Sequence, residues 1–172
     1  VLSEMELQGF KIDTQMLNDF KGELLERMNL IQEKIRDFAG NQELNISSPK
    51  QIGILLYEQL GLNPKVKKSA KNSYPTDEET LLSLEEKSPI IKDILEFRGL
   101  KKLISTYIEP FPTLIDRGSG KIHTTFNQAL TATGRLSSVK PNLQNIPIRT
   151  ELGREIRKAF VPRDDNHILL AA

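Results

Sequence analysis

The sequence predicts a mainly α-helical fold with a small β part, that is, an α+β chain. Two stretches, residues 14–39 and 89–109, carry apolar residues at helical spacing and are bounded by residues that begin or end helices. Beyond Pro112 the period changes, and residues 121–129 alternate with β-favouring residues as a strand does. The chain is therefore expected to pass from helices to strands about two thirds of the way along its length.

The helices are placed by their starts and stops. Asp13, Ser48 and Thr76 fit N-cap positions, with Glu79 completing a capping box after Thr76. Pro49 occupies a first helical position, where its missing N–H carries no penalty. The predicted helices cover residues 1–9, 14–39, 49–60, 77–87, 89–109 and 152–160, and Pro110 is expected to end the fifth. The apolar stripe from Leu17 to Phe38 is interpreted as core.

The β part follows a turn. Asp116-Arg-Gly-Ser-Gly120 is a strong turn signal ahead of the strand at 121–129, and residues 167–172 are expected to form a buried strand. His123 has no second histidine or cysteine near it, so we interpret it as a strand residue and not a metal ligand.

Composition narrows the class of protein. At 172 residues and 38% hydrophobic, the chain can bury a core. No apolar run approaches the roughly 20 residues that cross a membrane, and residues 1–9 carry acids in place of a signal peptide's cations. Without cysteine there is neither a disulfide framework nor a thiolate metal site, which permits a cytoplasmic setting.

Charge is distributed unevenly. Residues 50–74 hold five lysines and one acid, net +4, and residues 134–163 hold seven cations and two acids, net +5. This asymmetry favours a nucleic-acid partner, although lysine-rich loops are often only solvated.

The stretch from 131 to 149 is rich in hydrogen-bond donors. It holds Arg135 and Arg149 together with the amides Asn142, Gln144 and Asn145. Such side chains can donate to purine N3 and pyrimidine O2, the minor-groove acceptors that every correct base pair presents, and so hold a duplex without reading its sequence. A polar loop that connects two parts of one fold is an equal alternative from the residues alone.

No catalytic constellation is visible by spacing. The two histidines lie far apart at 123 and 167, and Gly118-Ser-Gly120 is too short for a phosphate-binding loop. Asp164 and Asp165 are adjacent and read as a polar turn.

Residues 131–138, Thr-Ala-Thr-Gly-Arg-Leu-Ser-Ser, continue into Pro-Asn-Leu-Gln-Asn-Ile-Pro-Ile-Arg at 141–149. This run resembles the signature that opens the palm of family A DNA polymerases, the bacterial DNA polymerase I type. Upstream features agree in order, and they lie at residues 9–13, 45–51, 74–78, 98–107 and 120–124.

The resemblance implies a helical thumb over residues 1–112, with a tip loop at about 61–76, and the start of the palm over 113–172. Ser73 and Pro75 depart from the family's pattern around Tyr74, so the tip loop is expected to take its own path. It also implies that Arg149 lies beside the active site. The residues it implies for DNA binding are Asn45, Ser47, Ser48, Lys67, Lys68, Lys71, Arg98, Lys102, Arg135, Asn142, Gln144 and Asn145.

The family's first metal-binding aspartate is expected just beyond residue 172. The resemblance therefore implies a polymerase fragment that is inactive alone and binds primer–template DNA but no cofactor, while Mg2+ and dNTPs serve the parent enzyme in replication and repair. A bacterial cytoplasmic location at the nucleoid and no membrane partner are implied too. Bare palm strands are expected to favour a non-native dimer. Two alternatives stay open, a stand-alone sequence-independent nucleic-acid binding module without catalysis and a purely structural helical scaffold.

Overall fold

The computed structural model describes residues 1–69 and 73–169. By its contacts the chain forms two compact units. We call Glu23–Lys102 the central unit and Val1–Gly22 with Leu103–Ala172 the terminal unit. The thumb and palm division at residues 112 and 113 is a functional one and stays a prediction.

The central unit is helical. The elements that fall in it, wholly or for the most part, are α2 (Thr14–Ala39), α3 (Pro49–Gly53), α4 (Glu78–Ser83) and α5 (Ile90–Leu103). Wider π-helical turns continue α3 over Ile54–Gln59, and a 3-10 turn at Glu85–Lys87 follows α4. The long helices at 14–39 and 89–109 are confirmed, since π-helical turns at Ile104–Ile108 extend α5.

Side-chain caps begin these helices. The Met16 amide donates to the Asp13 carboxylate at the start of α2, and the Gln51 amide donates to the Ser48 hydroxyl at the start of α3, both as predicted. The N-cap of α4 is Asp77 and not Thr76, so that prediction was wrong by one residue. Asp77 accepts from both the backbone N–H and the hydroxyl of Thr80, at 2.9 and 2.7 Å, and hydrogen bonds to a carboxylate are stronger than those to a neutral hydroxyl.

The core of the central unit comes from the apolar faces of its helices and from Ile46 in the turn before α3. Its fully or almost fully buried side chains include Ile35, Ile46, Ile52, Leu55, Leu56, Leu81, Ile90, Ile91, Ile94 and Leu100. Phe38, expected to be buried, is 48% exposed because it lies beyond Ile35, the last fully buried position of α2.

The terminal unit combines helices with two small antiparallel sheets. Its elements besides the start of α2 and the π-helical turns at Ile104–Ile108 are α1 (Leu2–Gln8), β1 (Lys11–Ile12), α6 (Pro110–Thr113), β2 (Thr125–Asn127), β3 (Ser137–Val139), a 3-10 turn (Leu143–Asn145), α7 (Glu151–Lys158) and β4 (Phe160–Val161). Strand β1 pairs with β4, and β2 pairs with β3 with Thr125 opposite Val139. The strand predicted over 121–129 is shorter than expected, although Ile122 also forms bridges with Phe10 and Ile115.

Aromatic rings hold the terminal unit together. Phe111 is 1% exposed, and its ring lies 5.7 Å from that of Phe160 and 5.9 Å from that of Tyr107. Phe160 also meets Phe10 edge to face at 6.0 Å. Pro110 does not stop the chain's helical course as predicted, because a proline is tolerated at the first position of the new helix, α6.

The last described residues do not form the predicted strand. The His167 amide donates to the Asp164 carbonyl in a turn, and Ile168 and Leu169 are 84% and 51% exposed. The expected burial was therefore wrong for residues 167–169, while 170–172 lie outside the described residues. Within residues 1–69 and 73–169, no helix is both long enough and apolar enough to cross a membrane.

Candidate nucleic-acid interface

Four of the predicted DNA-binding residues line one open groove in the terminal unit, of about 530 Å³. Its lining comprises Thr131, Arg135, Leu136, Ser137, Asn142, Gln144 and Asn145. We refer to it as the 131–145 groove. The structure thus brings together Arg135 and the three amides that the sequence singles out.

A tight turn presents Arg135. Gly134 has a positive φ of 72°, which favours glycine, and its amide donates to the Thr131 carbonyl. The Thr131 hydroxyl in turn donates to the Arg135 carbonyl at 2.6 Å. The backbone is fixed on both sides of the turn while the Arg135 side chain stays exposed.

The side-chain amides of Asn142 and Gln144 are held through their oxygens. The Asn142 side-chain oxygen caps the 3-10 turn by accepting from the backbone N–H of Gln144 at 3.1 Å. The Gln144 side-chain oxygen accepts from the backbone N–H of Ser138 at 2.9 Å. The Tyr107 hydroxyl donates to the backbone carbonyl of Asn145, and burial raises the pKa of the Tyr107 phenol. Both side-chain oxygens are thereby committed to the protein, which leaves the amino groups of Asn142 and Gln144 as donors on the exposed side.

A buried hydroxyl pair lies beneath the groove. Thr124 and Ser138 are 5% and 0% exposed, and their hydroxyl oxygens lie 2.7 Å apart. The sequence reasoning missed both residues. Both are small hydroxyl residues in or beside short strands, and such residues are too common to select a site.

Arg149 lies outside the groove lining, in the exposed segment that leads into α7. Thr150 caps that helix by accepting from the Gly153 amide at 3.1 Å. Arg157, on the same helix, donates to the carbonyls of Ile146 and Pro147 at 3.2 and 3.4 Å. Helix α7 is thus tied to the chain just beyond the groove.

In the central unit, Asn45, Ser47 and Ser48 form the turn that starts α3. Asn45 accepts from the Ser47 amide at 3.0 Å, and Ser48 caps the helix, so these polar groups have local structural partners. Lys101 donates to the Ser47 hydroxyl and brings a cation to this turn. The DNA-binding residues implied by the resemblance include the neighbouring Lys102 but not Lys101.

Arg98 is half-buried and bound to the chain. Its guanidinium donates to the Thr76 carbonyl and, at 3.4 Å, to the Thr76 hydroxyl. Burial lowers the pKa of Arg98, although a guanidinium stays protonated at neutral pH. Arg98 and Lys102 line a shared cleft of about 250 Å³ with Glu78, Leu82, Leu95 and Gly99. Part of the role of Arg98 is therefore to hold the segment ahead of α4.

The predicted lysines of the tip loop differ in their surroundings. Lys68 lies 2.9 Å from Glu58 and 4.8 Å from the centre of the Tyr74 ring, and the hydrogen bond that Lys68 donates to the Glu58 carboxylate raises the pKa of Lys68. Lys67 is exposed. Lys71 lies outside the described residues.

His123 lies between the bridge residue Ile122 and strand β2, so its interpretation as a strand residue was wrong. Its Nδ1 lies 2.7 Å from the Glu6 carbonyl oxygen and its Nε2 lies 2.6 Å from the Ser119 hydroxyl. Across residues 1–69 and 73–169, no group of three or more His, Cys, Asp or Glu side chains is placed to hold a metal ion.

A donor-rich groove and several exposed cations on a mixed α and β scaffold define a class of protein surface suited to a polyanion. The chain belongs to DNA polymerase family A, whose sequence profile matches residues 14–172.

Its relatives include DNA polymerase I of Geobacillus stearothermophilus and of Bacillus subtilis strain 168, each 48% identical over 172 residues. Both alignments cover 100% of this chain and 19% of the relative, so the chain spans about a fifth of the length of these proteins. A solved structure, the POL domain of Pol1 from M. smegmatis in complex with DNA primer–template and dNTP, is 41% identical with a TM-score of 0.82. That similarity covers 93% of this chain and 28% of the other.

Proposed function

We propose that this chain is the duplex-holding part of a DNA-directed DNA polymerase of the DNA polymerase I type, acting in replication and repair. The observation that carries the proposal is the 131–145 groove, where one guanidinium and three amides converge. Donors of this kind match the acceptors that all base pairs present in the minor groove, so the grip is independent of sequence. The primer–template DNA named for the M. smegmatis structure supports this partner.

Two kinds of contact are proposed. Arg135, Asn142, Gln144 and Asn145 donate to the minor groove near the primer end, and Arg149 lies beside the active site of the whole enzyme. The remaining residues bind phosphates and position the duplex, and they are Asn45, Ser47, Ser48, Lys67, Lys68, Lys71, Arg98 and Lys102. In functional terms residues 1–112 act as the thumb and 113–172 as the start of the palm. Phosphate contacts of this type supply affinity without sequence information.

The experiment is a binding titration of the 172-residue chain. Fluorescence anisotropy of labelled primer–template duplexes of unrelated sequence should give similar Kd values, and the logarithm of the binding constant should fall linearly with that of the salt concentration. A matched single strand of the same length serves as control and should bind more weakly. Absence of duplex binding at low salt would refute the proposal.

Chemistry is proposed for the whole polymerase only. Such an enzyme uses Mg2+ and dNTPs, but residues 1–69 and 73–169 do not fit a Mg2+ site, because they bring no three or more metal-ligating side chains together. No catalytic step is therefore assigned to this chain, and we propose that alone it does not polymerise. A bacterial cytoplasmic location at the nucleoid follows from the proposed substrate.

The alternative is a stand-alone nucleic-acid binding module. It is distinguished by the reading frame after Ala172, where Asp-Tyr-Ser-Gln-Ile-Glu would favour the polymerase and a stop codon the module. Self-association through bare palm strands stays a prediction, and light scattering coupled to size-exclusion chromatography tests it, with a clean monomer counting against it.

A further inference from the structure

The orientation of the Gln144 amide is fixed by a backbone donor. An N–H group can bond only to the oxygen of a carboxamide, and the Ser138 amide lies 2.9 Å from that oxygen. The amino group of Gln144 is consequently the end that faces the 131–145 groove. The side-chain oxygen of Asn142 accepts in the same way from the backbone N–H of Gln144.

The backbone that supplies these donors is held from below. The Leu143 amide donates to the Ser138 hydroxyl at 3.1 Å, and the Thr124 hydroxyl lies 2.7 Å from the Pro141 carbonyl oxygen and 3.0 Å from that of Val139. Since Thr124 and Ser138 are buried, these bonds are protected from water, and removing a partner leaves a buried polar group unsatisfied.

We propose that Thr124 and Ser138 are positioning residues for DNA recognition: their buried hydroxyl pair holds residues 138–144 so that Asn142 and Gln144 present only donors to the duplex. This inference rests on the proposed duplex binding. It deepens that function by naming the buried residues that fix the orientation of the groove's donors.

The physical consequence is selectivity for acceptors. If the segment loosens, each amide can rotate by half a turn and place its oxygen against the base acceptor, where two acceptors repel. Affinity and discrimination then fall together. A purely structural role for the pair would lower thermal stability but leave discrimination unchanged.

The test compares a natural duplex with one whose terminal purines are 3-deazapurines, in which a C–H replaces the N3 acceptor. The 172-residue chain should bind the natural duplex at least about fivefold more tightly. In Thr124→Val this ratio should fall to the part that Arg135 supplies and natural binding should weaken, whereas Thr124→Ser, which keeps the hydroxyl, should restore both.

Thr125→Val is the matched control, because its side chain is exposed on the adjacent position of β2. It should keep the ratio of the unaltered chain. If Thr124→Val does not fold by circular dichroism, Ser138→Ala provides the same readout.

Gln144→Glu provides an independent arm, since it keeps an oxygen for the Ser138 amide but removes the donor. At the base pair that Gln144 contacts, this variant should no longer bind a purine with N3 more tightly than a 3-deazapurine. A full ratio in folded Thr124→Val, in Ser138→Ala or in Gln144→Glu overturns the inference while duplex binding stands. Duplex binding with a ratio of one in the unaltered chain also overturns it, and no duplex binding removes both proposals.

Discussion

Replacing Arg135 with alanine should weaken duplex binding without destabilising the protein. The side chain is exposed, and the hydrogen bond that fixes its backbone, from the Thr131 hydroxyl to the Arg135 carbonyl, survives the substitution. Exposed substitutions of this kind change the free energy of unfolding by about 0.5 kcal/mol or less. An arginine contact to a base edge contributes about 1–3 kcal/mol, so the Kd should rise by about 5- to 150-fold.

Loss of charge and loss of a directed contact must be separated. Arg117→Ala is the matched control, because Arg117 is also exposed and lies in the turn at 116–120, outside the groove lining. Both variants lose one positive charge, but only Arg135→Ala loses a donor of the groove. Anisotropy with a labelled primer–template at several salt concentrations measures binding, and urea unfolding measures stability. Equal Kd changes in the two variants, or a large loss of stability in Arg135→Ala, would refute the assigned role.

Three further predictions concern the scaffold and the loop. Phe111→Ala should lower the free energy of unfolding by about 3–5 kcal/mol in urea titrations, because the ring is 1% exposed, whereas Phe38→Ala, at 48% exposure, should lower it far less. Lys67→Ala should reduce the slope of the salt dependence by about 0.9 if that lysine contacts a phosphate, and an unchanged slope would leave it as solvated surface. The hydrogen bond from the Thr80 amide lowers the pKa of Asp77 from its ordinary value of 3.8. The contribution of this cap to the free energy of unfolding is therefore fully present above pH 3.8 and is lost as the pH falls through the folded-state pKa. In Asp77→Asn, which has a neutral cap, the free energy of unfolding measured in urea should fall less steeply at acid pH.

The helices could be predicted because their signals are local. The caps Asp13 and Ser48 and the spacing of apolar residues are read within one or two turns, and the structure confirms them. The cap of α4 was misplaced because Thr76 and Asp77 are both good caps and the sequence cannot say which one is engaged elsewhere. In the structure Thr76 accepts from Arg98, a residue 22 positions along the chain.

The groove was partly predictable for a different reason. Its donors lie in one short stretch of the chain, so a contiguous motif selects Arg135 and the three amides before any fold is known. The support for that stretch is not contiguous, because Thr124 meets Ser138 only when β2 pairs with β3. Hydroxyl residues are frequent in strands, and nothing in their type marks these two.

The two sets of proposed contacts should respond differently to salt. The amides of the groove are neutral, so their hydrogen bonds release no counterions, whereas each lysine or arginine on a phosphate does. Raising the salt concentration should therefore weaken the contribution of residues such as Lys67 to the binding free energy and leave that of Gln144 unchanged. Because only the groove distinguishes a duplex with N3 acceptors from one without, the ratio between natural and 3-deazapurine duplexes should persist at high salt even as both affinities fall. A ratio that collapsed with salt would mean that the groove holds the duplex through the charge of Arg135 alone.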